Sequence, residues 1–423
     1  MVNSILDTDL YKFSTSYAFF KEYPYAQGQM VFHDRKGEDW RKYPEFIETM
    51  FAELRKVSEL RLTDEECDWC IKNIPYIPAS WWNWLKSYHL NMNTLHIGLD
   101  EEGHFFCYQD LDALTKYNEY YYATTLSEIY VLETYSEVRN QLLYGSELNL
   151  DKVVAIIDKK IEYANNNKLG FAEFGARRRF SYDVQDRIIR EIRNKCHVCA
   201  GTSNVHMAMK YHMTPTGTFP HEWVMFHAGV KGYQSANYEA LEAWIRVYDG
   251  NLGTALVDTY TTDSFLHTLT RKQALLLSGF RQDSGDEILV GKAIIARLKE
   301  FGIDPKSKFI VFSNALDFEK YKDIHDYFMP EGGTPLIKVS AGIGTNLTSD
   351  PGIDNYKPAN IVMKLGKCRI NPKDPWKNVI KISDDLGKHM GDPLEFLIAK
   401  HQLNLGNDDL QDMYDAVNKY TKK

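Results

Sequence analysis

Arg281, Asp283, Ser284, Gly285 and Asp286 crowd into eight residues, GFRQDSGD, after the apolar run Ala274 to Leu277 and before a helix-like segment. Charges at the end of an apolar run are costly unless something pairs with them. An arginine there suits an anionic ligand, and a carboxylate suits a ribose diol or Mg²⁺. Other apolar runs end in the same way, at Thr202 and Ser203, at Asp258, at Ser313 and Asn314, and at Gly342 and Gly344. In SAGIGTN the two glycines let backbone N–H groups approach a phosphate, and Thr345 adds a hydroxyl donor. Asp258, Asp283 and Asp317 are the carboxylates of this set. Helix capping is the competing role, above all for Asp283 and Ser284.

Two further stretches carry reactive side chains. FAEFGARRRFSYD sets Arg177, Arg178 and Arg179 between Phe174 and Phe180. Three successive arginines cannot all face one way, so at most one or two serve a site, against the ordinary role of surface charge or helix entry. GTFPHEWVMFH supplies His221, Glu222 and His227, but the histidines are six residues apart rather than the four of a helical zinc motif, and Pro220 precedes them. A single reactive histidine remains, against the ordinary role of a hydrogen-bonded core histidine. Two CxxC pairs, Cys67/Cys70 and Cys196/Cys199, lie too far apart for a zinc ribbon, and reduced thiols are expected.

Alternating strands and helices must position these groups. DKVVAIIDKKIEYANNN and YDVQDRIIREIRNK have helical periodicity, the second with Val184, Ile188, Ile189 and Ile192 on one face. CHVCAGTSN, TALVDTYTTD, ALLLSGFRQDSGD, KFIVFSNALD, LIKVSAGIGTN and NIVMKLG then each read as a short apolar strand ending in polar or glycine-rich residues. This texture predicts parallel strands with crossover helices. The recurring polar groups then fall at the strands' C-terminal rim, where α/β barrels bind ligands. PASWWNWLKSYHL reads as an aromatic packing element. The chain has 423 residues, 44% of them hydrophobic, and 50 basic against 58 acidic residues give a formal charge of −8. That balance argues against a nucleic-acid or acidic-membrane binder. The opening MVNSILDTDLYK lacks the basic and apolar regions of a secretory signal, and no apolar run is long enough to cross a bilayer, so a cytoplasmic location is expected.

In chain order, DTDLYK, EFGARRRFS, GTSNVHMA, TPTGTFPHEW, FRQDSGD, GIDPKSK, VSAGIGTNLTSD and ISDDLGKHMGD resemble the nicotinate phosphoribosyltransferase family, from Asp7 to about Asp392. The resemblance implies a type II phosphoribosyltransferase architecture. An irregular α/β barrel over about 136–365 stands beside an α+β domain of residues 1–135, joined by about 366–423. It implies ATP-coupled transfer of phosphoribosyl from phosphoribosyl pyrophosphate (PRPP) to nicotinate, giving nicotinate mononucleotide and pyrophosphate in NAD salvage. The alternatives are a nicotinamide or quinolinate phosphoribosyltransferase, or a non-catalytic nucleotide- or RNA-binding protein.

By the same resemblance His221 is phosphorylated by ATP, Mg²⁺ accompanies the phosphates, and no protein metal site is assigned. Tyr11 enters the site of a neighbouring subunit in a homodimer and, with Phe174, forms the slot for the pyridine ring. Arg177 and Arg281 meet pyrophosphate or the substrate carboxylate. Asp283 holds the ribose hydroxyls, Asp258 supports the histidine, and Gly342, Gly344 and Thr345 cradle the 5′-phosphate. Ser203 stands where nicotinamide-using relatives carry an aspartate; its hydroxyl can donate to nicotinate's carboxylate, which an aspartate would repel. Asn314 stands where relatives often carry an acid, and Ala176 replaces a hydroxyl residue.

Overall fold

The computed structural model describes residues 1–385 and 391–405. The end of ISDDLGKHMGD and the chain beyond 405 lie outside them. Two sheets organise the molecule. Strands β1 (Gln27–Asp34), β2 (Leu95–Leu99), β3 (Phe105–Gln109), β10 (Ile361–Arg369) and β11 (Lys377–Asn378) form an antiparallel sheet in the order β11-β10-β1-β3-β2. Strands β4 (Phe171–Glu173), β5 (Cys199–Thr202), β6 (Thr254–Leu256), β7 (Gly279–Gln282), β8 (Phe309–Phe312) and β9 (Lys338–Ile343) form a parallel sheet in the order β5-β4-β9-β8-β7-β6. The expected irregular barrel is thus a six-stranded parallel array with β5 and β6 at its edges. Beside it stands an α+β unit of N-terminal residues completed by β10 and β11.

The local signals explain most elements. Helix Tyr182–Lys195 starts where the Ser181 hydroxyl accepts from the Val184 N–H, and it buries Val184, Ile188, Ile189 and Ile192. Such a cap stabilises by about 1 kcal/mol. Helix Glu287–Glu300 is capped by Asp286, not by Asp283 or Ser284, and Gly302 follows it with φ +68°. In the PASWWNWL segment Trp81 and Trp82 are buried.

Two readings of the sequence are corrected. The run Ala274 to Leu277 is no strand. A Thr270–Gln273 capping box starts helix Arg271–Leu276 there, and the strand begins at Gly279. NIVMKLG does not continue the parallel series. It becomes β10, paired antiparallel with β1 from Gln27↔Arg369 to Asp34↔Ile361.

Each edge of the parallel sheet meets a segment from one end of the chain. Asp9 bridges to Asn204 beyond β5, and Ile382 bridges to Tyr260 beyond β6. The N-terminal segment is fixed by buried charge. Arg179 meets Asp7 at 2.6 Å and Glu137 at 2.9 Å, all at 3% exposure or less. Removing one partner of such a buried pair costs roughly 3–5 kcal/mol. Lys12, also fully buried, holds Glu222 at 2.6 Å and also pairs with Glu128. Among the described residues no helix is long and apolar enough to cross a membrane.

Candidate active site

A cavity of about 490 Å³ opens at the C-terminal ends of the parallel strands. Phe174 follows β4, Ser203 follows β5, Asp283 follows β7, Asn314 follows β8, and Gly344 follows β9. Arg281 lies in β7 and Gly342 in β9. These residues line the cavity together with Tyr11, Arg177, His221 and Thr345. Asp258 is fully buried behind it. Asp317 lies elsewhere: it caps helix Phe318–Phe328 by accepting from the Lys320 N–H.

Arg281 is locked. Its guanidinium donates to the Ser313 hydroxyl at 2.9 Å, to the Thr218 hydroxyl at 3.1 Å and to the Asp283 carboxylate at 3.1 Å, and it stands 5.7 Å from the Phe174 ring centre. Both glycines of the SAGIGT segment serve that ring. A Cβ on Gly342 would fall 2.5 Å from a Phe174 ring carbon, and one on Gly344 would fall 2.5 Å from the Phe174 carbonyl oxygen. Their lack of a side chain leaves room for the Phe174 ring at Gly342 and for the Phe174 backbone at Gly344.

His221 begins helix His221–Lys231 directly after Pro220. Its Nδ1 is 2.9 Å from the hydroxyl of fully buried Thr259, while Nε2 sits 3.3 Å from Asp283 and 3.0 Å from the Lys381 ammonium. Burial, then Lys381, push the imidazole well below its usual pKa against the pull of Asp283, so it is neutral at physiological pH. Burial would raise the Asp283 carboxyl, but the Arg281 guanidinium outweighs it and holds it well below the usual carboxylate range. Burial raises Asp258 to about 6, opposed by Lys381 and by the Ser284 hydroxyl that donates to it. His227 takes the core role instead, bonded to the Trp223 carbonyl at 2.7 Å and the Tyr23 hydroxyl at 3.1 Å.

For Mg²⁺ the fit is good at two carboxylates. His221, Asp258 and Asp283 present ligand atoms within 4.8 Å of one another, and the buried Asp258 Oδ1 has no hydrogen-bond partner among the described residues. Magnesium takes few carboxylates and completes its shell with phosphate oxygens and water.

Ser203 and Tyr11 both have defined surroundings at the cavity. The Ser203 hydroxyl donates to Asp9, a buried cavity-lining carboxyl that burial raises in pKa. In this structure the Ser203 hydroxyl is therefore engaged by Asp9. Tyr11 lines the cavity of its own chain, drawn there by the Leu10 N–H, which donates to the Ser203 carbonyl at 2.7 Å.

Sequence reasoning missed several lining residues, Asp9, Arg35, Lys364 and Lys381, and of the three adjacent arginines Arg177 and Arg178 line the cavity. Lys381 directly precedes the ISDD motif, and Lys364 interrupts an apolar strand; both were visible signals. Lys364 is driven down to about 7, first by burial and then by Lys381 and Arg177.

Residues 169–407 match the family described as the nicotinate phosphoribosyltransferase (NAPRTase) family, and residues 6–136 match its N-terminal domain. The nicotinate phosphoribosyltransferase of Desulforapulum autotrophicum is 36% identical over 93% of this chain and 97% of its own length. That of Chromohalobacter salexigens is 34% identical over 96% and 99%. The crystal structure of nicotinate phosphoribosyltransferase from Porphyromonas gingivalis superposes with a TM-score of 0.90 at 38% identity, covering 96% of this chain and all of that one. The Vibrio cholerae structure gives 0.89 at 28% identity, covering 99% and 97%.

Proposed function

The chain belongs to the nicotinate phosphoribosyltransferase family, and from that premise we propose how its cavity performs the reaction and how ATP is coupled to it. The enzyme joins nicotinate to PRPP in NAD salvage. The single observation that carries the residue assignment is the convergence of Phe174, Arg281, Asp283, His221 and Gly342–Thr345 on one cavity.

Phe174 and Tyr11 form the flat slot for the pyridine ring. Arg281, fixed by three hydrogen bonds, and Arg177 supply the positive charge that meets nicotinate's carboxylate and the pyrophosphate. Gly342, Gly344 and Thr345 hold the 5′-phosphate, with Asn314 beside it, and Asp283 accepts from the ribose hydroxyls. The pyridine nitrogen attacks ribose C1, the bond from C1 to the pyrophosphate oxygen breaks, and its electron pair leaves with pyrophosphate. No proton is transferred in this step. Preorganised cations facing the leaving group stabilise the developing charge without rearranging in the transition state. Mg²⁺ at Asp258 and Asp283 would neutralise phosphate charge when bound.

His221 is the acceptor of the ATP γ-phosphoryl group. Its neutral imidazole supplies a nucleophilic lone pair at Nε2, the nitrogen on the side of Asp283 and Lys381. A phosphoryl group there adds charge and acceptor oxygens beside the PRPP site, which orders the surrounding loops. Substitution of His221 by Asn is expected to abolish nicotinate-dependent ATP hydrolysis while slow, uncoupled mononucleotide synthesis persists. Unchanged ATP consumption by that variant contradicts the assignment.

A further inference from the structure

The antiparallel half of the molecule sends one cation into the histidine site, and nothing in the reaction as described above uses it. Lys381 follows β11 in a segment fastened to the loops beyond β6 and β7 at four points. The Ile382 N–H donates to the Thr259 carbonyl and the Thr261 N–H to the Ile382 carbonyl, both at 3.1 Å. Asp384 accepts from the Thr262 N–H at 2.9 Å and from its hydroxyl at 2.6 Å. Asp385 accepts from the Gly285 N–H at 3.0 Å. The segment therefore registers Lys381 against Thr259, the residue that fixes the other face of the His221 ring. Lys381 is 3% exposed and lines the cavity, with its ammonium 3.0 Å from His221 Nε2 and 3.9 Å from Asp258.

Burying an ammonium against a histidine that it keeps uncharged is an electrostatic cost. An anion placed on that histidine turns the same contact into an attraction.

We propose that Lys381 is the phosphoryl-binding residue of the ATP half-reaction. Its ammonium holds the γ-phosphoryl oxygens as they arrive at His221 and afterwards pairs with the phosphohistidine. The inference rests on His221 being the phosphoryl acceptor. In that step the Nε2 lone pair forms a bond to the γ-phosphorus. The bond from that phosphorus to the β,γ-bridging oxygen breaks, and its electron pair leaves with ADP. The Nδ1 proton stays on the side of Thr259. Lys381 gives up no proton; it exchanges its contact with Nε2 for contacts with phosphoryl oxygens.

The test incubates the full-length enzyme with γ-³²P-ATP and Mg²⁺ and counts acid-labile label on the protein for wild type and for the His221→Asn, Lys381→Gln and Lys381→Arg variants. Thermal midpoints report folding. Wild type is expected to carry label that His221→Asn lacks. Lys381→Gln is expected to lose at least about tenfold of the label, since a charge-assisted hydrogen bond contributes roughly 1.5–3 kcal/mol. Lys381→Arg, which keeps the cation, is expected to retain most of it. Absence of label on wild type overturns the reading of His221 and the inference with it. Label on a folded Gln variant equal to wild type overturns the role of Lys381 alone. Should the Gln variant fail to fold, the Arg variant decides: loss of label from a folded Arg variant contradicts the claim that a cation here holds the phosphoryl group.

Discussion

Lys364 shows how function is set against stability at a single residue. It is held near pKa 7 in the folded protein against 10.5 for an ordinary lysine. A folded value below the unfolded one means that folding penalises the charged form. The penalty is fully present below pH 7, where the lysine is charged in both states, and it fades as pH rises toward 10.5. Lys364→Met is therefore expected to be at least as stable as wild type at pH 7, with the advantage shrinking at alkaline pH, while binding PRPP more weakly. Wild type should take up a proton on binding PRPP between about pH 7 and 8, as the phosphates restore the charge; calorimetry in buffers of different ionisation enthalpy reads this directly. Equal proton uptake by the variant would remove Lys364 from the phosphate site. At this scale the sequence exposes residue types but not partners. Arg281 and Asp283 announce themselves by following an apolar run, and His221 by its place in GTFPHEWVMFH. The hydrogen bond that Ser203 donates to Asp9 is invisible, because the two are 194 residues apart and meet only when the opening motif is pulled onto the rim of β5.

The elements that build the site are the parallel strand ends and the two segments that bridge to the edge strands. Phe174 depends on β9 for its seat. Gly342→Ala would push a methyl group into the ring, where 2.5 Å separates positions that need more than 3 Å. The expected result is a rise in the nicotinate KM of about tenfold, about 1.4 kcal/mol of lost binding as the ring is displaced, with a smaller change in the PRPP KM; steady-state kinetics with each substrate varied separates the two. Parallel β5, β6, β8 and β9 are legible from short apolar runs followed by polar groups. β10 is not, because an apolar stretch of Ile, Val, Met and Leu reads alike in either sheet, and only pairing with β1 decides which one it joins. The run Ala274–Leu277 misleads for a related reason. Its leucines complete a short capped helix, with Leu275 and Leu276 exposed at 48% and 45%.

For the molecule as a whole, a net charge of −8 surrounds a cavity lined by Arg35, Arg177, Arg178, Arg281, Lys364 and Lys381. The positive charge is concentrated where anionic substrates belong, which raises their local concentration and their rate of entry. The antiparallel half contributes Arg35 and Lys364 to that wall, and the chain's opening motif contributes Tyr11, so the pocket draws on both sheets within one chain. The central claim is that this pocket takes an anionic pyridine together with a doubly phosphorylated sugar. It is tested most directly by mononucleotide and pyrophosphate release from PRPP and Mg²⁺, with nicotinate or nicotinamide as acceptor and with or without ATP. The account predicts strong preference for nicotinate and stimulation of that reaction by ATP. Equal or faster turnover of nicotinamide would contradict it.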